Sequence, residues 1–208
     1  MATIQLGANE MERFSCVVVI AFLVAAVSGS AQAMITAGPD IIAAPSSVAD
    51  DFPGAENRNQ QAFNEAQGVI LAAALNVDGG SIAAGTWVDS HMIFLNTAGS
   101  TQVADTQTWT FDGPVIGVMS DINGIYEAAS NSVLGAAGTF YPGSFSNRGL
   151  EGNDFYSVAA NSITVGMVVT EPGDWIRVVT TPVPAPGAVF LAGLGTMAVG
   201  WLRRRRVV

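Results

Sequence analysis

The chain has a single histidine, His91, and it stands two residues after Asp89. On a strand, where side chains alternate between faces, both would lie on one side, and the carboxylate could orient the imidazole as a general base. A hydrolase built on that pair would need a serine from elsewhere, and no Gly-x-Ser-x-Gly turn is present. A half-buried strand histidine with a neighbouring hydrogen bond is the better explanation of the pair. One histidine and one cysteine exclude a multi-histidine or thiolate zinc centre. Hard cations need carboxylate and carbonyl oxygens instead. Three clusters could supply them: Asp78 with Gly79–Gly80, Asp121 with Asn123–Gly124, and Glu151 with Asn153 and Asp154. None has EF-hand spacing, and acidic or amide residues beside glycine are also ordinary turn formers. The expectation is therefore no catalytic residue and no cofactor, with calcium at these clusters as the alternative. Trp87, Trp109 and Trp175 could stack on sugars or fill a core. Arg177 is expected in an ion pair or at a sheet edge.

The elements that must position these residues read as strands. Residues 69–77 form an apolar run ended by Asp78-Gly79-Gly80, a turn signal. Along residues 85–96, Val88, Met92 and Phe94 share one face, while Trp87, Asp89, His91, Ile93 and Leu95 share the other. Further strands are expected over residues 106–111, 115–119, 162–170 and 175–180, the last two joined by a turn at residues 171–174. Residues 56–67 read as a loop or short helix, residues 123–138 as a loop with one short helix, and residues 141–154 as a long surface loop. Short strands at turn-rich spacing predict a mostly β, antiparallel β-sandwich or jelly-roll-like single domain over residues 34–181.

Both termini carry export patterns. Residues 16–27 are an apolar run, too short to span a bilayer, followed by the small-x-small pair Ala31 and Ala33. This predicts a signal helix over residues 1–33, cleaved by signal peptidase to leave Met34 first. Residues 182–208 combine Val183, Pro184, Ala185 and Pro186 with an uncharged segment, 187–202, and then Arg203, Arg204, Arg205 and Arg206. As a helix, the 16 residues of 187–202 would rise about 24 Å, slightly short of a hydrocarbon core of roughly 30 Å. The arginines should stay on the cytoplasmic side and leave the bulk of the chain outside. Trimming both ends leaves three arginines against 15 acids, a net charge of −12, and no cysteine. Such a domain repels nucleic acid and anionic surfaces, favours solubility, and holds no disulfide.

The C-terminal arrangement resembles the PEP-CTERM sorting domain of Gram-negative bacteria. That family's signature is Pro-Glu-Pro, a transmembrane segment and an Arg-rich end. Here Ala185 replaces the Glu, so the match is to the Val-Pro-x-Pro-Gly-Ala variant. The resemblance implies exosortase, a membrane-embedded cysteine transpeptidase-like enzyme, as the processing partner. It also implies an inner-membrane intermediate before delivery to the cell surface or outside. Residues 63–180, through the phrases at 84–91 and 172–177, loosely resemble other exported proteins with such a tail, to which no activity attaches. The function expected is thus a non-enzymatic exported protein of the cell surface or extracellular polysaccharide matrix. The alternatives are a carbohydrate-binding module for exopolysaccharide and, behind it, a hydrolase using Asp89 and His91.

Overall fold

A computed structural model describes residues 34–50, 52–183 and 193–195, and residues 34–183 lie in one compact unit. The expected signal helix with Ala31 and Ala33, the motif from Pro184 to Pro186, most of the membrane segment and Arg203 to Arg206 lie outside the described residues. No helix among the described residues is long and apolar enough to cross a membrane.

The elements in chain order are β1 (Ile35–Ala37), β2 (Gln61–Asn64), β3 (Val69–Ile70), β4 (Leu75–Val77), β5 (Gly80–Ile82), β6 (Trp87–Leu95), β7 (Val103–Phe111), β8 (Val115–Met119), α1 (Ile125–Leu134), β9 (Phe155–Ala159), β10 (Ser162–Val169) and β11 (Asp174–Thr180). The chain is mostly β and its strand pairs are antiparallel. One sheet has the order β1-β7-β10-β9; the other runs β2-β6-β11-β8, with β3 also on β6; β4 and β5 form a separate hairpin.

The two larger sheets differ in how much they bury, and their sequences follow from that. In β7, Trp109 and Phe111 point into the core while Ala104, Thr106 and Thr108 stay exposed, so the strand alternates. Facing it across one apolar cluster are Ile93 and Leu95 of β6, Ile176 and Val178 of β11, and Val118 of β8, with Ile163, Val165 and Met167 of β10 on the β7 side. The opposite faces of β6 and β11 are also covered. Met92, Phe94 and Trp175 pack with Val48 and Phe63, while Val88, Val179 and Met119 pack with the hairpin and with Leu134 of α1. A strand buried on both faces has no polar side to show, which explains the continuous burial of β11. The face assignment read for residues 87–95 agrees with these clusters.

Some expectations are corrected. Residues 69–77 are not one strand. The run breaks after β3, where Leu71 N–H donates to Thr86 O and Gly85 N–H to Leu71 O, and resumes at β4. Residues 61–64, expected as loop or helix, form strand β2 against β6. The short helix at 123–138 extends to the ten residues of α1.

Candidate functional site

His91 lies in the middle of β6 and is completely buried. Asn64 Oδ1 accepts the backbone N–H of Ile35 (3.1 Å), which identifies it as an acceptor toward the ring. His91 Nδ1 therefore donates to Asn64 Oδ1 (2.8 Å), and Nε2 accepts from the Thr180 hydroxyl (3.0 Å). The ring packs on Phe111 of the facing sheet, 4.6 Å between centroids. Burial pushes its pKa down to about 3, so the imidazole is neutral. Asp89 is buried as well, and its Oδ1 accepts the Gly68 N–H. Both ring nitrogens are thus engaged inside the protein, out of reach of a substrate in solvent.

The tryptophans do not converge. Trp109 is buried and donates Nε1–H to Gln60 Oε1 (3.1 Å), while Gln60 Nε2 donates to Asp105 O (3.0 Å) and Val165 O (2.9 Å). Trp175 is buried on the other side of the second sheet and donates to Val48 O (2.7 Å). Trp87 alone of the three is exposed, at 51%.

Two of the domain's three arginines form a buried network that sequence reasoning foresaw only as an ion pair at Arg177. The Arg177 guanidinium grips Glu65 with two bonds, Nε to Oε2 at 2.6 Å and Nη2 to Oε1 at 2.7 Å. It also reaches α1, donating to Glu127 O (2.8 Å), Ser130 Oγ (2.6 Å) and Asn131 Oδ1 (2.9 Å). Glu65 accepts a further bond from Ser90 Oγ (2.6 Å). Arg148 pairs with Glu127 through Nε (2.8 Å) and Nη2, and its guanidinium lies 4.6 Å from the Trp175 ring centroid. Burial works against the Arg177 charge, but Glu65, aided by Glu127, raises its pKa above the ordinary value. Burial raises the Glu127 carboxyl against the pull of Arg148 and Arg177. Arg177 sits on a central strand between β6 and β8, not at an edge. The network fastens α1 to the sheet: Glu127, Ser130 and Leu134 form the helix face turned inward.

The three calcium candidates divide sharply. Asp121 accepts the N–H groups of Ile125 (2.8 Å) and Tyr126 (3.0 Å), so it satisfies the first turn of α1. Asp78 accepts the backbone N–H and hydroxyl of Ser120, tying the hairpin to the end of β8. These carboxylates serve local structure, and Asn123 brings no second acid to them. The third cluster gains a member. Asp174, the first residue of β11, comes to Glu151 and Asp154, with oxygens of all three carboxylates within 4.8 Å of one another. Asn153 is exposed. The convergence follows from backbone pairing: Trp175 N–H donates to Arg148 O (3.0 Å) and Leu150 N–H to Ser120 O (3.0 Å), laying the segment along the ends of β11 and β8. Gly149 permits this, because a Cβ there would stand 2.1 Å from Asp121 O. Asp154 is oriented by the N–H groups of Glu151 (2.9 Å) and Val168 (2.7 Å). Asp174 is 1% exposed, and its Oδ2, like Glu151 Oε2, has no hydrogen-bond partner. Burial, then the charges of Asp154 and Glu151, push the Asp174 pKa up to about 9. Burial and Asp154 likewise raise Glu151. Asp174 reads in the sequence as the end of the 171–174 turn, and its partners lie 20 or more residues away.

Compared with protein-family models, curated proteins and solved structures, the chain matches none.

Proposed function

We propose that the chain is an exported, non-enzymatic protein. Its leader is removed by signal peptidase, its tail passes through an inner-membrane intermediate handled by an exosortase-type enzyme, and the domain ends at the cell surface or in the extracellular polysaccharide matrix. The terminal signals support the route. The observation that carries the non-enzymatic part is where the reactive side chains go: His91, Glu65, Glu127, Arg148 and Arg177 are all buried, each hydrogen-bonded within the protein. General acid–base chemistry requires a group within hydrogen-bond reach of the substrate, and these groups stabilise the interior instead. Two antiparallel sheets sharing one apolar cluster support a β-sandwich, jelly-roll-like scaffold. The acidic, lysine-free surface suits a soluble exported domain. A sugar platform of three tryptophans is not formed, since Trp109 and Trp175 are buried and only Trp87 of the three is exposed.

The test is fractionation of a Gram-negative host that carries an exosortase, expressing the chain with and without residues 184–208. Protein from the tail-bearing chain recovered at the surface or in the medium, with protein from the truncated chain confined to the periplasm, supports the proposal. Identical distribution of both overturns the sorting part of it.

A further inference from the structure

We infer that Glu151, Asp154 and Asp174 form a binding site for one divalent cation of the calcium type. The site joins two segments distant in sequence, the loop before β9 and the first residue of β11. Three carboxylates meet there, and no arginine or histidine forms an ion pair with them among the described residues.

Clustered acids alone would not carry this, because exposed acids collect without ligands. The independent observation is the state of Asp174. It is 99% removed from solvent by its 1% exposure, and its Oδ2 has no hydrogen-bond partner. Buried polar atoms are satisfied as a rule, so an orphaned carboxylate oxygen facing two more carboxylates calls for a positive partner. Glu151 Oε2 is a second buried oxygen in the same condition. Elsewhere in this domain the buried acids Glu65 and Glu127 each have an arginine, and buried Asp89 accepts the Gly68 N–H.

The donor chemistry selects the ion. All three donors are hard carboxylate oxygens, which suit calcium or magnesium and not zinc. Oxygens within 4.8 Å of one another can sit around one ion at Ca–O distances of about 2.3–2.6 Å. Asp154 retains lone pairs after accepting its two backbone N–H bonds. A bound ion would tie the 149–154 loop to the start of β11, acting as a clip on the folded domain.

The experiment is thermal unfolding of the full chain in mild detergent, after EDTA treatment and dialysis, with calcium chloride titrated in. An affinity of 0.1–1 mM, the range of extracellular modules, gives a rise in Tm that grows with the logarithm of calcium and reaches roughly 3–10 °C at 10 mM. Calorimetric titration should show about one calcium per chain. Asp174→Asn and Glu151→Gln should each remove the rise, and Asp112→Asn, at an exposed acid beside the opposite end of β11, should keep it. Two independent site variants guard against one failing to fold. A Tm unmoved by calcium, or a rise retained in both site variants, overturns the inference. A response to magnesium equal to that of calcium would overturn the calcium-type assignment.

Discussion

Replacing Arg177 by methionine should be the most damaging single change in the domain. The side chain is fully buried and makes five hydrogen bonds, two to the Glu65 carboxylate and three to Glu127 O, Ser130 Oγ and Asn131 Oδ1 on α1. Methionine fills much of the volume and supplies none of them. Glu65 would keep the hydroxyls of Ser90 and Tyr141 but lose its counter-charge while remaining inside. Removing one member of a buried ion pair costs about 3–5 kcal/mol, because the other charge stays desolvated. Against a total stability of about 5–15 kcal/mol, that is about a fifth or more of what holds the domain together. In Tm it corresponds to a fall of roughly 6–20 °C for a domain of this length. The assay is urea unfolding followed by tryptophan fluorescence, run as a double-mutant cycle with Glu65→Met. The double variant should recover at least half of the loss, since an apolar pair leaves no orphaned charge. A cost under about 1 kcal/mol for Arg177→Met, or strict additivity in the double variant, would refute the view that this network is what fastens α1 to the sheet.

Three further outcomes are expected. His91 has a folded pKa of about 3 against an ordinary 6.5, so its contribution is fully present above pH 6.5 and is lost as pH falls toward 3. The loss should reach roughly 5 kcal/mol at most, read as the difference between wild type and His91→Gln in urea midpoints from pH 7 to pH 4. Gly124 has φ +62° and a Cβ there would lie 2.5 Å from Arg148 Cδ. Gly124→Ala should therefore cost about 2–3 kcal/mol, from left-handed backbone strain plus displaced arginine, and thermal melts would show it. Gln60→Leu orphans the Trp109 N–H and removes the bonds to the Asp105 and Val165 carbonyls, and should cost about 1–3 kcal/mol with a shift in tryptophan emission.

How far the sequence reached depends on which interaction each residue serves. The strand Trp87–Leu95 was legible because one periodicity of two assigns Met92 and Phe94 to one side and Ile93 and Leu95 to the other. Val115–Met119 and β11 were legible as apolar runs bounded by turns. Strand β2 was not, because Gln61 and Asn64, with Gln60 and Glu65 beside them, are polar. Gln60, Asn64 and Glu65 serve buried hydrogen bonds to Trp109, His91 and Arg177, which hydropathy reads as loop. The pairing of Glu65 with Arg177 spans 112 positions, and no local pattern announces it. The acidic site was half visible, at Glu151 and Asp154, while Asp174 joins only through the antiparallel register that sets the end of β11 beside the loop. Asp78 and Asp121 looked the same in sequence and prove to be backbone anchors, because a carboxylate next to glycine serves a turn or an ion with the same atoms.

The proposed export route makes this domain cargo with a removable address at each end. Its most direct test is the intact mass of the protein recovered outside cells of an exosortase-competent host. The account predicts a species beginning at Met34 and ending near Pro184 to Pro186, and retention of the tail in a matched host without the enzyme. An exported species carrying Arg203 to Arg206 in the competent host would contradict it, and would make the tail a permanent anchor.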